Sequence, residues 1–330
     1  MQALILAGGP GTRLRPLTLD IPKPIVPIAN RPFLWYQLEI LKQVGVTDVT
    51  LSLSYKPEQI VTIFGDGAGT GLSIRYTIEE KPLGTAGAFK FAEDRITSTA
   101  IVFNGDVLTN IDLSPVVEFH KLYRAVATLV LVPVDNPSAY GLVETDAEAR
   151  VLRFIEKPSP EQVTCNTVNA GIYILEPGVL KYIPEAEYYM FEHELFPLLL
   201  AESMPVYGYV FDGYWIDIGT NRRYLQANLD VINGLVPPFG SRDGCLVDEN
   251  AVVQAGAQVL NSVIGRGCVI GKDALIKNSV LQEGVEVGNA AVIEDSVLAT
   301  ATVVGEASRV RRCVLGRASR ISEHSIVGEV

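Results

Sequence analysis

A glycine-rich segment near the N terminus carries the residue types of a phosphate-binding loop. The stretch Gly8–Thr12 contains three glycines and follows the short apolar run Leu4–Leu6. Glycines let backbone N–H groups approach an anion closely, and fixed cations balance its charge. Two cations, Arg13 and Lys23, come soon after the glycines. The segment therefore predicts a loop that binds phosphate groups at the end of a strand.

The spacing of these glycines excludes two common nucleotide motifs. A dinucleotide fingerprint needs a glycine where Leu14 stands, and the Gly-Lys-Ser/Thr ending of a P-loop is absent. The glycines alone leave two interpretations open, a phosphate loop and a structural turn.

Two aspartates add the ligands of a divalent cation. Asp106 follows the apolar run Ile101–Phe103, and Asp217 lies in the segment Tyr214–Thr220. A carboxylate at the end of a strand is suited to hold Mg²⁺ that bridges phosphate groups. Taken alone, Asp106 fits a turn or a helix cap equally well.

The elements that position these residues alternate between short apolar runs and helical patterns. This alternation favours an α/β fold, a Rossmann-like and mostly parallel sheet with helices on both faces. Ligands of such sheets bind at the carboxyl ends of the strands, where the glycine-rich segment lies. Predicted strands are Ala3–Leu6, Val49–Ser54, Ser73–Ile78, Ala100–Phe103 and Ala127–Pro133, and predicted helices include Pro32–Val44 and Asn221–Ile232.

Residues 247–330 repeat with a period of 17. Aliphatic residues recur after steps of six, six and five, which gives five coils, each with one aliphatic on each of three sides. This predicts a parallel β-helix of triangular section, in which each coil is buried against its neighbours. The pattern resembles the hexapeptide repeats of left-handed β-helix proteins, and the handedness follows from that resemblance. Asn278-Ser279 and Asp295-Ser296 mark the five-residue step and predict a tight corner.

The predicted domains are therefore 1–232, which is catalytic, and 244–330, which is the β-helix. A proline- and glycine-rich linker, 233–243, joins them. In acyltransferases, such repeats carry a catalytic histidine and a protruding loop. Here His324 is the only histidine of the repeats and nothing interrupts their period, so we expect a structural or oligomerising role and a homo-oligomer.

Composition limits the partners of the chain. The 330 residues carry a net charge of −11. This charge makes nucleic acids and acidic membrane surfaces unfavourable binding partners. The four cysteines form no CxxC pair, and no apolar stretch reaches the length of a membrane span or signal peptide. We therefore expect a cytoplasmic protein.

The longer string around the glycines resembles the signature of sugar-1-phosphate nucleotidyltransferases. It runs from Gly8 to Thr18 and is followed by Lys23-Pro24. Further similarity extends as far as Thr220 and is strongest to the mannose-1-phosphate guanylyltransferases. The resemblance implies that a nucleoside triphosphate and a sugar-1-phosphate give a nucleotide-sugar and pyrophosphate. The sugar phosphate would attack the α-phosphorus in line, with Mg²⁺ as the cofactor.

The resemblance also assigns residues to the nucleotide. Arg13 would hold the departing β- and γ-phosphates, and Lys23 the α-phosphate; these two, with Asp106 and Asp217 as metal ligands, would be the catalytic residues. The full nucleotide-binding set would be Leu6, Ala7, Gly8, Gly9, Gly11, Thr12, Arg13, Lys23, Glu79, Pro82, Gly84, Thr85 and Asp106.

The sugar-1-phosphate would bind a second set of residues. Lys157 would contact the phosphate group, while Glu156 and Asn169 would accept or donate hydrogen bonds to ring hydroxyls. The complete set would be Gly141, Glu156, Lys157, Asn169 and Asp217. Polar groups paired with sugar hydroxyls discriminate between epimers, because the wrong epimer leaves one of them unpaired.

The choice of base is predicted from one position. Thymidylyl and uridylyl relatives have a glutamine where Glu79 stands. An amide presents one donor and one acceptor, which suits the O4 and N3–H of a pyrimidine. A carboxylate offers only acceptors, which suits the N–H groups of guanine. Glu79 therefore favours GTP, although Glu80 is an alternative reader.

Two alternative activities remain open: a thymidylyl- or uridylyltransferase acting on glucose-1-phosphate, and a bifunctional nucleotidyl/acetyltransferase.

Overall fold

The computed structural model of the chain describes residues 1–236 and 244–328 and forms two compact units. The sheet unit comprises Met1–Gly9 and Tyr36–Trp215. The repeat unit comprises Pro10–Trp35, which we call the signature segment, and Ile216–Val330. Within residues 1–236 and 244–328, no helix is long and apolar enough to span a membrane.

The predicted domain boundaries stay a prediction. The compact units are arranged differently along the chain, because the signature segment groups with the repeats rather than with the sheet. Of the predicted linker, 233–243, residues 237–243 lie outside the described residues.

A nine-stranded mixed sheet forms the centre of the sheet unit. Its strands are β1 (Gln2–Leu6), β2 (Asp48–Leu53), β3 (Ser73–Ile78), β4 (Ala100–Asn104), β5 (Ala127–Pro133), β6 (Gly141–Thr145), β7 (Val151–Glu156), β8 (Thr167–Leu175) and β9 (Val206–Val210). The order is β7-β6-β8-β4-β1-β2-β3, and β5 pairs with β8 and β9. The run β4-β1-β2-β3 is parallel, whereas β8 pairs antiparallel with β4, β5 and β6.

The predicted elements of this unit are confirmed to within about one residue at each end. The strands Ser73–Ile78 and Ala127–Pro133 have the predicted bounds. Buried apolar runs such as Ala100–Phe103 are typical of parallel strands covered on both faces. The apolar pattern does not encode strand direction, so the antiparallel pairing of β8 was not predicted.

Helices and a buried aromatic core complete the two units. The helices are α1 (Phe33–Gln43), α2 (Pro57–Phe64), α3 (Gly84–Phe91), α4 (Ser114–Leu122), α5 (Phe196–Ala201) and α6 (Asn221–Ile232), with a π-helical turn at Phe191–Leu195. Phe89, Tyr173 and Phe191 are buried together in the hydrophobic core of the sheet unit.

Three five-stranded parallel sheets form the β-helix of the repeat unit. The register pairs equivalent positions of successive coils, as in Val247 with Ile264 and Ile264 with Leu281. The prediction of a left-handed parallel β-helix is confirmed. Its strands are Leu246–Val247, Val252–Val253, Gln258–Leu260, Val263–Ile264, Val269–Ile270, Leu275–Lys277, Val280–Leu281, Glu286–Val287, Val292–Glu294, Val297–Leu298, Val303–Val304, Arg309–Arg311, Val314–Leu315, Arg320–Ile321 and Ile326–Gly328.

The predicted inward-facing aliphatics are buried in the central coils but not in the first. Nine of them are buried in the second, third and fourth coils: Ile264, Ile270, Ile276, Leu281, Val287, Ile293, Leu298, Val304 and Val310. Val247 and Val253 of the first coil are each 41% exposed, and Val259, Leu315, Ile321 and Val327 are half-buried against the same core. A coil at the end of a solenoid has one neighbour instead of two, so it buries less.

The five-residue step forms the tight corner that was predicted. Asn278 and Asp295 both adopt φ 47°, a left-handed conformation that asparagine and aspartate tolerate. Their side chains join in a ladder, because Asn278 Nδ2 donates to Asp295 Oδ1 at 3.0 Å. Beside it, the hydroxyl of Ser279 accepts a hydrogen bond from the backbone N–H of Ser296 in the next coil, at 3.1 Å. Hydrogen bonds from side chains therefore link successive coils at the corner, and one of them satisfies a backbone N–H group.

Helix α6 binds the signature segment within the repeat unit. Thr220 caps the helix by accepting a hydrogen bond from the N–H of Arg223. Asn228 Oδ1 accepts from the N–H of Ala29 at 2.8 Å, and the buried Tyr224 hydroxyl donates to the carbonyl of Pro27. Burial raises the pKa of Tyr224 to about 12, so the phenol remains a donor at neutral pH.

Candidate active site

The end of β1 brings the predicted phosphate loop beside the predicted base reader. The N–H of Ala7 donates to the carbonyl of Ser52 on β2 at 2.8 Å, which continues the parallel ladder. A Cβ on Gly8 would lie 3.3 Å from Cβ of Ser54 and 3.6 Å from Oε1 of Glu79. The backbone at Gly8 therefore lies against the Glu79 carboxylate.

Glu79 is buried and makes two hydrogen bonds within the protein. The residue is 7% exposed. Oε1 accepts from the Ser52 hydroxyl at 2.7 Å, and Oε2 accepts from the N–H of Leu83 at 2.9 Å. The carboxylate thus ties the loop after β3 to strand β2. Its role as the guanine reader stays a prediction, and the alternative reader, Glu80, is exposed.

The predicted base loop leads into α3. Gly84 begins the helix at φ +76°, and a Cβ there would lie 2.6 Å from the carbonyl oxygen of Tyr189. That carbonyl accepts hydrogen bonds from the N–H groups of Ala86 and Gly87, at 3.0 and 2.9 Å. The helix N-terminus is therefore fixed by a protein carbonyl. Pro82 is exposed before it.

Asp106 lies in a turn that packs on the end of β1. The N–H of Gly105 donates to the carbonyl of Leu6 at 2.9 Å. A Cβ on Gly105 would lie 2.5 Å from that same oxygen, so only glycine allows the approach. The partly buried Asp106 follows directly. The close approach that Gly105 allows therefore determines where Asp106 lies at the end of the sheet.

A glutamine of α1 also holds this turn. Nε2 of the fully buried Gln37 donates to the carbonyls of Asn104 and Val107, both at 2.9 Å. These two residues flank Gly105 and Asp106, so Gln37 fixes both ends of the turn. Gln37 was not predicted from the sequence. The indication in the sequence is that Gln37 is a polar residue on the apolar face of α1, which Leu34, Leu38 and Leu41 mark.

Three predicted sugar-binding residues lie on neighbouring strands. Gly141 on β6 pairs with Glu156 on β7, and a Cβ on Gly141 would lie 2.9 Å from Glu156 Oε2. Leu142 pairs with Val168 on β8, which places Asn169 next to Gly141. The sheet register therefore brings Gly141, Glu156 and Asn169 together, although they are far apart in sequence.

The polar groups of this cluster have defined partners. The amide of Asn169 donates to the Tyr173 hydroxyl at 2.7 Å and accepts from the N–H of Gly171 at 3.0 Å. Lys157 is 71% exposed, with its Nζ 3.7 Å from Glu156 Oε1. A solvent-exposed ammonium beside a partly buried carboxylate suits a phosphate ligand that enters from solvent.

The repeat unit holds the remaining predicted residues, beginning with the signature segment. Gly11 adopts φ +61°, and its carbonyl accepts from the hydroxyl of the buried Thr18 at 2.7 Å. A Cβ on Gly11 would lie 3.0 Å from Cβ of Lys23, so the loop folds back onto the lysine. Lys23 is buried in a short 3-10 turn, whereas Thr12 and Arg13 are exposed.

Asp217 and Arg13 converge at Gly219. A Cβ on Gly219 would lie 2.8 Å from Asp217 Oδ2 and 3.0 Å from Arg13 Nη2, so glycine leaves room for both groups. Arg223 of α6 forms an ion pair with Asp217. This arginine and Thr18 were not assigned roles from the sequence. Arg223 lies near the start of α6, and its spacing from Asp217 matches no sequence motif.

Two family profiles match this chain. Residues 2–234 match the profile of the family described as Nucleotidyl transferase, and residues 242–330 match the profile described as GMPPB C-terminal domain. The chain belongs to the nucleotidyl transferase family.

Relatives of this nucleotidyltransferase share most of its length. A mannose-1-phosphate guanylyltransferase of Mycobacterium tuberculosis is 43% identical over 277 residues, which cover 82% of this chain and 77% of that protein. A mannose-1-phosphate guanyltransferase of Saccharomyces cerevisiae is 38% identical over 266 residues, covering 78% and 73%. A crystal structure from Bacillus anthracis, provisionally named a glucose-1-phosphate thymidylyltransferase, matches with a TM-score of 0.64 and 26% identity, covering 69% of this chain and 94% of that one. Family and fold support nucleotidyl transfer to a sugar-1-phosphate.

Proposed function

We propose that this nucleotidyltransferase transfers a guanylyl group from GTP to mannose-1-phosphate. The observation that carries the choice of substrates is the 43% identity to the mycobacterial mannose-1-phosphate guanylyltransferase over 82% of the chain. The cluster of Gly141, Glu156 and Asn169 supports the sugar side of the proposal, since it offers both donors and acceptors to ring hydroxyls.

The proposed reaction is a single displacement at phosphorus. A phosphate oxygen of the sugar-1-phosphate attacks the α-phosphorus of GTP, a new P–O bond forms, and the bond to the β-phosphate oxygen breaks. Pyrophosphate leaves with the electron pair of that bond. Such a transfer depends on positioning and on charge stabilisation more than on a protein nucleophile. In the proposal, Lys23 stabilises charge on the α-phosphate and Arg13 on the leaving pyrophosphate.

The chemistry of two aspartates fits a magnesium ion. Asp106 and Asp217 are partly buried carboxylates, and Mg²⁺ prefers one or two carboxylates together with phosphate oxygens and water. Among the residues that the structure describes, no group of three or more metal ligands is found, so the ion would need the substrate phosphates. We propose that Asp106 and Asp217 hold Mg²⁺, which would neutralise phosphate charge. The ion pair with Arg223 would orient the Asp217 carboxylate.

A second candidate activity is thymidylyl or uridylyl transfer to glucose-1-phosphate. It is favoured by the structural similarity to the Bacillus anthracis protein, although that chain shares only 26% identity. The two activities differ in the base and in one sugar stereocentre, so a substrate panel separates them.

The test is pyrophosphate release from a matrix of substrates. GTP, ATP, UTP and dTTP are each combined with mannose-1-phosphate, glucose-1-phosphate and an amino-sugar-1-phosphate, with and without Mg²⁺. We expect the highest kcat/KM for GTP with mannose-1-phosphate and no turnover after EDTA treatment. A preference for dTTP or UTP with glucose-1-phosphate would reject guanylyl transfer and favour the second candidate.

A further inference from the structure

A chain of hydrogen bonds in the sheet unit connects the base side to the sugar side. The hydroxyl of Thr85, in the first turn of α3, donates to Glu192 Oε2 at 2.9 Å. The hydroxyl of Tyr173 donates to Glu192 Oε1 at 3.2 Å. Asn169 Nδ2 in turn donates to the Tyr173 hydroxyl at 2.7 Å. Glu192 is thus the acceptor at the centre of a continuous path between two predicted substrate-binding residues.

The direction of each hydrogen bond in this chain is determined by its ends. The N–H of Phe191 donates to Thr85 Oγ1 at 2.8 Å, which leaves the Thr85 hydrogen for Glu192. The N–H of Gly171 donates to Asn169 Oδ1 at 3.0 Å, which turns the amide nitrogen toward Tyr173. Both donors at the centre therefore point at Glu192, and an ionised carboxylate is the side chain that accepts both.

The segment that carries Glu192 is anchored in the core. Its π-helical turn begins at the fully buried Phe191, which stacks on Phe196 at 5.5 Å between ring centroids and packs on Tyr173 at 5.2 Å. Short π-helical turns are frequent at functional sites. Burial raises the pKa of Glu192, and the hydrogen bonds from Thr85 and Tyr173 oppose that rise. A partly buried carboxylate that is held by two side-chain hydrogen bonds suits a positioning role.

We propose that Glu192 is a positioning residue that orients Asn169 for the sugar-1-phosphate and ties it to helix α3. This proposal rests on the proposed function, because it assigns Asn169 to the sugar. With Oδ1 and one N–H of Asn169 held, the second N–H and the second lone pair of Oδ1 are presented in a fixed direction. The orientation that discriminates sugar hydroxyls is then set by a carboxylate that does not itself contact the sugar.

The test replaces Glu192 with glutamine. A glutamine offers one acceptor oxygen, so it accepts from either Thr85 or Tyr173 and turns its NH₂ toward the other donor. We expect Glu192→Gln to raise the KM for the sugar-1-phosphate about tenfold, the effect of one hydrogen bond to a charged group. The KM for the nucleoside triphosphate rises less, and kcat changes little. Tyr173→Phe gives the same pattern, and the double variant is no worse than either single variant, because all three interrupt one chain.

Glu194→Gln is the matched control. Glu194 lies on the same π-helical turn, and its Oε2 accepts a single hydrogen bond from the N–H of Met190 at 2.7 Å. The amide oxygen of glutamine accepts that bond equally well. We therefore expect wild-type kinetics from this variant, and thermal unfolding of both variants shows whether either has lost stability.

The outcomes separate this proposal from the proposed function. An active wild type with equal KM values in Glu192→Gln and Glu194→Gln overturns the role of Glu192. A wild type inactive with GTP and mannose-1-phosphate refutes the proposed function instead, and the variants are then compared with the pair that the substrate matrix identifies. If no pair reacts, crystal structures of both variants decide. A displaced Asn169 amide in Glu192→Gln alone supports the proposal, and an unmoved one overturns it.

Discussion

The carboxylate of Glu79 connects three parts of the predicted nucleotide-binding region. It accepts from Ser52 on β2 and from Leu83 before α3, and it lies against the backbone at Gly8. A residue with so many protein contacts positions its neighbours whether or not it also reads a base. Each oxygen retains a second lone pair, so reading and positioning are compatible.

Replacing Glu79 with glutamine distinguishes the two roles. The NH₂ group of glutamine cannot accept from Ser52 or Leu83, so one of these two donors loses its acceptor. For a residue that only positions the loop, we expect kcat/KM to fall about tenfold for every triphosphate, since a buried donor left unpaired costs about 1–3 kcal/mol. The measurement is pyrophosphate release with GTP, UTP and dTTP at a fixed sugar-1-phosphate.

Glu80→Gln is the control for this variant, because its side chain is exposed and adjacent. A shift of preference from GTP toward dTTP in Glu79→Gln alone would contradict the purely positional role and assign the base to Glu79. A shift in Glu80→Gln would assign it to Glu80.

The positions of the predicted site residues in the fold followed from the sequence where a motif or a strand end marks them, while their roles stay predictions. Asp106 follows a buried strand, and the register of β6, β7 and β8 assembles Gly141, Glu156 and Asn169 as the resemblance implies. Gln37 and Glu192 were not predictable in this way. Each acts through hydrogen bonds to groups that are distant in sequence, and no local pattern records such a contact.

At the scale of elements, a stack of glycines controls how closely the β-helix coils approach. Gly271, Gly288 and Gly305 occupy the same place in three successive coils. A Cβ on Gly271 would lie 2.6 Å from the carbonyl carbon of Gly288, and one on Gly288 would lie 2.5 Å from the nitrogen of Glu306. These contacts are with backbone, which cannot move aside like a flexible side chain. Glycine therefore follows the aliphatic residues at these positions because the backbones of successive coils pack too closely for a Cβ atom.

We predict that Gly271→Ala destabilises the β-helix. The added methyl group forces two coils apart, and such overpacking costs about 1–3 kcal/mol in the free energy of unfolding. Chemical denaturation monitored by circular dichroism measures the change.

The control for Gly271→Ala is Gly284→Ala. Nothing lies within 4 Å of a Cβ on Gly284, and the equivalent position of the next coil is Ala301, which adopts φ 60° without a glycine. We expect a change below about 1 kcal/mol for this variant. Equal destabilisation by both substitutions would contradict the argument from the distance between coils, because Gly271 lacks the left-handed backbone conformation of Gly284.

Periodic elements were predicted well, and pairing was not. The period of the repeats determined the β-helix register in full, because each coil repeats the same three buried positions. In the sheet unit, the apolar runs predicted strands but carried no information on which of them pair. The position of β8 between β4 and β6 depends on contacts between residues distant in sequence.

At the scale of the whole molecule, the β-helix and the signature segment belong to one compact unit. The connection runs through α6 and includes a buried glutamine of the third coil. Gln282 Nε2 donates to the Tyr224 hydroxyl at 3.2 Å, and Tyr224 donates to the carbonyl of Pro27. Asn30 Nδ2 also donates directly to the carbonyl of Ile264 at 2.9 Å. The repeats therefore support the segment that carries two of the predicted catalytic residues.

Gln282→Leu tests whether this support affects catalysis. Leucine fills a similar volume but removes the donor to Tyr224 and the acceptor for the N–H of Thr300. We expect the free energy of unfolding to fall by about 1–3 kcal/mol and kcat/KM to fall about threefold, because the Tyr224 hydroxyl loses a partner that orients it toward Pro27. Gln258→Leu, at an exposed position of the β-helix, is the control and should leave both quantities unchanged. A loss of stability with unaltered kcat/KM would show that the β-helix stabilises the signature segment without setting the geometry of its predicted catalytic residues.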